Sequence, residues 1–254
     1  MVSCKEEAMR KKGIITLAIL TILSAIGLMT GRLQADAAEE VRWTVEIELT
    51  KGHLVSSVEA YRVGKVSLAK THASHPVSEH YAKLLKTPLK KRAPRLEQEL
   101  TQALHGLSDE IRPKGEIAAY EVKIQETFVL LDRALEILVS PNVREEVAFQ
   151  GEVLSRLLKK IGEEYGEAVE GGKVINLPEY QDAFGFLQRA KALFQALKLR
   201  LRVEATTQKE LDQLFARLEE ALPAIIPLAD LPPSTTLKGW IATFASLIEK
   251  ATGR

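Results

Sequence analysis

The sequence predicts an all-α protein, a multi-helix antiparallel bundle of about eight helices that follows an N-terminal apolar segment. From Trp43 onward, apolar residues recur at spacings of three and four, which is the period of an amphipathic helix. Strictly alternating runs, which would indicate half-buried strands, are short and rare. With 254 residues, 46% of them hydrophobic and 27% charged, the chain has an ordinary globular composition and is long enough to bury a sizeable core.

The first forty residues have the order of an export signal. A polar segment with a basic end precedes an uncharged apolar run at 13–29, and a polar segment with small residues follows. An Ala-x-Ala site ends at Ala37, so residues 1–37 are predicted to be either a cleaved signal peptide or a retained membrane anchor, since the run approaches the ~20 residues of a span. The basic residues 10–12 would stay in the cytoplasm, which predicts a periplasmic or extracytoplasmic location for the rest.

Net charge and cysteine content exclude several functions. The formal net charge is +1 and both signs are interleaved, so the chain lacks the sustained basic tract that nucleic-acid binding usually needs. The only cysteine, Cys4, precedes the apolar run. The folded part therefore has neither an internal disulfide nor a cysteine-ligated metal, and its stability must come from packing.

Prolines and glycines divide the remaining chain into helices. Leucines at three and four residue spacing between Leu96 and Leu107 form one apolar stripe, and the stripe between Leu193 and Val203 forms another. The long helix that contains "FVLLDRALEILV" is expected to end near Ser140 and Pro141. This position is the predicted boundary between an N-terminal helical half, 38–140, and a C-terminal helical half, 141–254. The other breaks are expected at Gly64, Pro76, Pro88, Pro94, Pro113, Gly171 with Gly172, Pro178, Pro223, Pro227, and Pro232 with Pro233.

Standard catalytic signatures are absent from the sequence. It contains no Gly-x-Ser-x-Gly elbow and no glycine-rich loop followed by lysine and serine or threonine. The glutamate-rich segment 162–172 is interpreted as a solvated helix face rather than a pair of catalytic carboxylates. We therefore predict no catalytic residues, no bound organic cofactor and no enzymatic activity.

The segment 157–194 combines a helix, a Gly-Gly stop, a short extended piece near 174–176 and a helix that begins at Pro178. Four aromatic residues in this segment are predicted to pack its two helices together: Tyr165, Tyr180, Phe184 and Phe186.

The same segment resembles the extracytoplasmic helical region that precedes the membrane domain in bacterial high-affinity iron permeases of the iron/lead transporter family. The shared pattern is an acidic residue with Tyr, then Ala-Val, Gly, Val and Glu-Tyr, which here are Glu164-Tyr165, Ala168-Val169, Gly172, Val174 and Glu179-Tyr180. The order of helices and glycine in 53–91 is compatible with the same region. In the family the first acidic position is more often aspartate.

This resemblance implies a stand-alone or companion version of the extracytoplasmic domain, one that binds or delivers iron or another transition metal beside a membrane permease. The permease itself would need membrane spans carrying Arg-Glu-x-x-Glu. The nearest string here, 144–148, ends in Ala148 and lies in no apolar run, so the chain is not the channel. The alternative function is an exported helical scaffold or protein-interaction module with no metal.

The stretch "THASHPVSEHY", 71–81, contains three of the five histidines. Pro76 disfavours a continuous helix, so a break is expected near Ser74, and the resulting corner would bring imidazole and carboxylate groups together. Such donors suit iron(II), copper or zinc. The alternative interpretation is that these histidines only cap helix ends. The candidate metal ligands are His72, His75, Glu79 and His80.

Overall fold

The computed structural model describes residues 37–227 and 231–253. The chain divides into two compact units, 1–40 and 41–254. In the first unit only residues 37–40 are described, and they are helical. The predicted signal or anchor therefore lies outside the described residues. Within the part of the chain that is described, no helix is both long and apolar enough to cross a bilayer.

The second unit is all-α apart from one short hairpin, which confirms the predicted fold class. The number of helices in the described residues exceeds the expected eight, because the short helices α3 and α6 add to the long ones. Along the chain the elements are α1 (helical through residues 41–62), α2 (Val66–Pro76), a π-helical segment (Val77–Leu85), α3 (Lys86–Arg92), α4 (Pro94–Glu110), α5 (Ile117–Leu138), α6 (Pro141–Arg144), α7 (Val147–Ala168), β1 (Val169–Glu170), β2 (Lys173–Val174), α8 (Leu177–Lys198), α9 (Ala205–Ala221) and α10 (Ser234–Thr252).

The predicted helix break near Ser74 is wrong. Helix α2 continues to Pro76, and the π-helical segment follows it directly. Proline removes one amide donor and crowds the carbonyl four residues before it. The wider turns of the π-helical segment accommodate this irregularity without ending the helix. As a result His80 is carried to the interior, where it is 6% exposed.

The Gly-Gly stop forms a two-residue hairpin. Gly171 and Gly172 have φ values of 57° and 77°, a region that glycine adopts without steric cost. Strands β1 and β2 pair antiparallel, with Val169 opposite Val174. The predicted extended piece is therefore present, but its strand begins at Lys173 rather than Val174.

The four long helices after α6 form a bundle. Helix α7 packs against α8 and α10, and α9 packs against the same two helices, so the ring of contacts closes. Three aromatic rings fill the space between α8, α9 and α10. The centroid of Phe194 lies 4.9 Å from that of Phe215 and 5.1 Å from that of Phe244.

Helices α1 and α8 are in direct backbone contact at two glycines. A Cβ atom added to Gly185 would lie 2.2 Å from the carbonyl oxygen of Gly52, and one added to Gly52 would lie 2.4 Å from a ring carbon of Phe186. The hydroxyl of Ser56 donates a hydrogen bond of 2.5 Å to the carbonyl of Gln181. This close approach places His53, on α1, beside Asp182, on α8.

The four aromatic residues predicted to pack the helices around the hairpin are all buried. Tyr165, Tyr180 and Phe186 are fully inaccessible, and Phe184 is 8% exposed. The hydroxyl of Tyr165 donates to the carbonyl of Pro232 at 2.7 Å. The prediction is confirmed.

Replacing Tyr180 with alanine is expected to lower the free energy of unfolding by about 3 kcal/mol, because it leaves a cavity in a closely packed interior. Chemical denaturation of the two proteins measures the difference. Tyr180→Phe is the matched control. The Tyr180 hydroxyl is buried without a hydrogen-bond partner among the described residues, so its removal should leave stability unchanged or raised. Equal losses in both variants would contradict this explanation.

Candidate metal centre

Four of the five histidines form one cluster, in which three surround a buried carboxylate and the fourth contacts one of those three. His53 comes from α1, His72 and His75 come from α2, and His80 comes from the π-helical segment, while Asp182 comes from the second turn of α8. These side chains lie between the C-terminal bundle and the helices that precede it in the chain.

The carboxylate of Asp182 is the centre of the cluster. Its Oδ1 lies 2.6 Å from Nδ1 of His53 and 2.8 Å from Nδ1 of His72, and its Oδ2 lies 3.4 Å from Nδ1 of His75. Burial alone would raise the pKa of Asp182, but the charge and hydrogen bond of His53, the hydrogen bond of His72 and the nearby ring of His75 hold this pKa well below its usual value. The group is therefore an ionised hydrogen-bond acceptor.

A chain of hydrogen bonds runs from Asp182 to Glu46. Since an ionised carboxylate only accepts, His53 keeps its proton on Nδ1 and offers the Nε2 lone pair to Nε2 of His80, 2.9 Å away. Burial lowers the pKa of His53, which favours this neutral ring. Nδ1 of His80 lies 2.6 Å from Oε2 of Glu46, which completes the chain.

Both ring nitrogens of His72 lie within hydrogen-bonding distance of side-chain oxygens. The amide nitrogen of Gln181 donates to the carbonyl of Ile225 at 3.2 Å, so the amide oxygen faces Nε2 of His72 at 2.8 Å. The other ring nitrogen of His72 donates to Asp182. The ring of His72 is therefore held by hydrogen bonds on both sides.

His75 differs from the other three histidines. Its Nδ1 atom is buried but makes no hydrogen bond of ordinary geometry with any described residue. The carboxylate of Asp182 raises the pKa of His75, and its side chain is 23% exposed. This nitrogen therefore lies near a carboxylate and has no hydrogen-bond partner among the described residues.

The four predicted ligands fall into two neighbouring sets rather than one. His72 and His75 belong to the first, with His53 and Asp182; Glu79 and His80 belong to the second, again with His53. Within each set the ligand atoms lie within 4.8 Å of one another. The interpretation of the histidines as helix caps is wrong for His72 and His80, whose rings bond to side chains.

Sequence reasoning missed His53 and Asp182. Asp182 lies inside the segment that resembles the iron permeases, in the second turn of α8. His53 follows Gly52, the glycine that lets α1 approach α8. These two positions are 129 residues apart in sequence, and local spacing gives no signal of such a contact.

A separate group of carboxylates lies nearby, where Glu164, Glu167 and Glu179 come within 4.8 Å of one another. Burial raises the pKa of Glu164 to about 7, Lys160 opposes this shift, and a hydrogen bond with Glu179 adds to it. Glu164 forms an ion pair with Lys160.

The raised pKa of Glu164 makes stability depend on pH. The folded pKa of about 7 lies above the unfolded value of about 4.3, so the folded state binds more protons between them. The resulting stabilisation is full below about pH 4.3 and is lost as the pH rises through about 7. As the pH rises from 5 to 8, the free energy of unfolding should therefore fall less in Glu164→Gln than in the wild type. The difference is on the order of 1 kcal/mol after solvent screening.

Urea denaturation at several pH values measures this difference. Glu136→Gln is the control, because Glu136 is exposed on α5 outside this group and its replacement should leave the pH profile of the wild type unchanged. Profiles that are parallel in the wild type and Glu164→Gln would contradict the predicted role of Glu164.

Comparison with protein families agrees with the four-helix arrangement of α7 to α10. Residues 140–254 match the iron permease-associated 4-helix bundle domain. This match confirms the resemblance for the C-terminal region. Searches of curated proteins and of solved structures found no match. Asp182 and Gln181 lie inside the matched region, whereas all four clustered histidines precede it.

Proposed function

We propose that this chain is an exported, non-enzymatic protein that binds a transition-metal ion as an accessory component of an uptake system for iron or another transition metal. The proposed ligands of the ion are His53, His72, His75 and Asp182. The match to the iron permease-associated bundle supports the connection with iron uptake. The basic segment and apolar run at the N-terminus support export.

The observation that carries this proposal is the convergence of three imidazoles on one buried carboxylate, with one imidazole nitrogen left unbonded. Burying a polar atom without a partner costs free energy, so the unbonded Nδ1 of His75 needs an explanation. A metal ion held between His75 and Asp182 would give this nitrogen its bonding partner.

The donor set fits the chemistry of such an ion. Imidazole nitrogen and carboxylate oxygen suit iron(II), zinc and copper. Ligand atoms bound at about 2.0–2.2 Å lie roughly 3 Å from one another around a metal. The contacts to the Asp182 carboxylate are between 2.6 and 3.4 Å, so an ion enters with small movements of the side chains.

Two features support a role beside a permease rather than as one. The described helices include none suited to cross a bilayer, and 144–148 lacks the second glutamate of the permease motif. We propose that the chain presents its ion to a membrane permease, and that residues 1–37 either direct export or anchor the chain to the cytoplasmic membrane.

One observation favours the alternative function, a helical scaffold without metal. The rings of His53, His72 and His80 already have hydrogen-bond partners, so three of the four histidines need no metal ion to satisfy their ring nitrogens. A scaffold would keep this hydrogen-bond network and would not bind a metal ion.

Titration of the full chain with zinc, copper(II) and anaerobic iron(II) separates the two functions. Micromolar or tighter binding is expected, and it should be lost when His72, His75 and His80 are all changed to alanine. Because this triple variant removes buried groups, His75→Ala is the sharper test. It removes the partly exposed side chain with the unbonded nitrogen and should weaken metal binding at least tenfold while the fold is retained.

His105→Ala is the matched control, because His105 is the exposed histidine on α4 outside the cluster. Its affinity should equal that of the wild type. Equal binding by the wild type and His75→Ala, or no binding by the wild type, would contradict the metal-binding function.

A further inference from the structure

A second set of ligand atoms adjoins the first. Nε2 of His53 lies 2.9 Å from Nε2 of His80 and 3.8 Å from Oε2 of Glu79. Nδ1 of the same ring lies 2.6 Å from Oδ1 of Asp182. The two nitrogens of one imidazole therefore face two different ligand sets.

The spacing of the second set suits a metal ion. Atoms bound to one ion at about 2.0–2.2 Å are separated by roughly 2.9 Å at a right angle and by more at wider angles. The 2.9 Å and 3.8 Å separations around Nε2 of His53 span this range. The carboxylate of Glu79 is 45% exposed, so it can move to meet an ion without disturbing the core.

The second set opens to a cavity, unlike the first. A cavity of about 470 Å³ is lined by Glu46, Glu79 and His80, together with basic residues of α7 and the π-helical segment. By contrast, His72 is fully buried and Asp182 is 2% exposed, and neither lines this cavity. An ion that arrives from solvent through the cavity meets the second set first.

The positive charges at the cavity wall are partly neutralised. Arg156 is paired with Glu152, and Lys160 is paired with Glu164. Lys159 lies 4.0 Å from Glu163. These ion pairs reduce the repulsion that the basic side chains would exert on an entering cation.

We propose that Glu79, His80 and Nε2 of His53 form a second subsite for a divalent transition-metal ion, and that the ring of His53 bridges this ion to the one in the first set. The inference rests on the proposed metal-binding function and extends it to two ions. When both subsites are filled, each nitrogen of His53 bonds one ion, and the ring proton passes to the solvent. The outer ion is the one that exchanges with the cavity.

Copper(II) is the probe for this arrangement, because two copper ions joined by one imidazole ring are magnetically coupled. The full chain should bind two equivalents, and at that ratio its electron paramagnetic resonance signal should integrate to less than two isolated ions. Glu79→Gln should bind one equivalent, with an uncoupled signal. Glu110→Gln is the control, since Glu110 is exposed on α4 outside the set and outside the cavity, and it should behave as the wild type.

Binding of only one equivalent of copper(II) by the wild type would overturn the second subsite and leave the first set intact. Binding of two copper ions with uncoupled signals would overturn the bridge through His53. Absence of copper binding in all three proteins would overturn the proposed function itself, so the two failures are distinguishable.

Discussion

Asp182→Asn should lower the free energy of unfolding by about 3–5 kcal/mol. Its carboxylate accepts bonds from His53 and His72 and lies beside His75 in a region that is almost inaccessible to water. Asparagine has nearly the same shape but no charge. The loss of one member of a buried ionic group leaves the others uncompensated, which is a costly change in an interior.

Denaturation in urea at neutral pH, without added metal, measures this loss. Asp109→Asn is the matched control, because Asp109 is exposed and the same substitution should change stability by no more than about 0.5 kcal/mol. If Asp182→Asn were as stable as Asp109→Asn, the charge of Asp182 would not contribute to the stability of the fold.

Gly185→Ala should cost about 3 kcal/mol and should also weaken metal binding at least tenfold. The added Cβ atom would lie 2.2 Å from both the Gly52 carbonyl oxygen and the hydroxyl oxygen of Ser56, so helices α1 and α8 must separate. That movement pulls His53 away from Asp182. In the wild type Nδ1 of His53 lies 2.6 Å from Oδ1 of Asp182. The substitution therefore changes the site without changing any of its ligands.

Gly239→Ala is the control for Gly185→Ala. Gly239 lies on an exposed face of α10, and a Cβ atom there would meet nothing within 4 Å. Alanine is the better helix former, so this variant should gain about 0.5–1 kcal/mol. Stability and zinc affinity measured on both variants test the prediction. Two variants with the same affinity would show that the contact between α1 and α8 does not position the ligands.

Local patterns were sufficient to predict most of the fold. The leucine stripe from Leu96 to Leu107 is buried on α4, and α5 ends at Leu138, close to the predicted stop at Ser140. The positive φ angles of Gly171 and Gly172 explain why a Gly-Gly pair marks the hairpin. Helical periodicity and glycine turns depend on neighbouring residues, so they are visible in one sequence.

The site could be predicted only in part, because it depends on contacts between distant segments. The cluster of histidines in 71–81 is visible in the sequence, but its orientation is set by the π-helical segment, which proline placement alone did not reveal. The pairing of His53 with Asp182 follows from backbone contact at Gly52 and Gly185. That contact joins segments more than a hundred residues apart, and no periodicity reports it.

Anomalous diffraction from crystals of the full chain grown with zinc or iron(II) tests the central claim most directly. The proposed function predicts an anomalous peak within bonding distance of Nδ1 of His75 and the carboxylate of Asp182, inside the set that His53 and His72 complete. His75→Ala crystals should lose this peak. A wild-type protein with full density for these side chains and no anomalous peak among them, at metal concentrations well above micromolar, would contradict the claim.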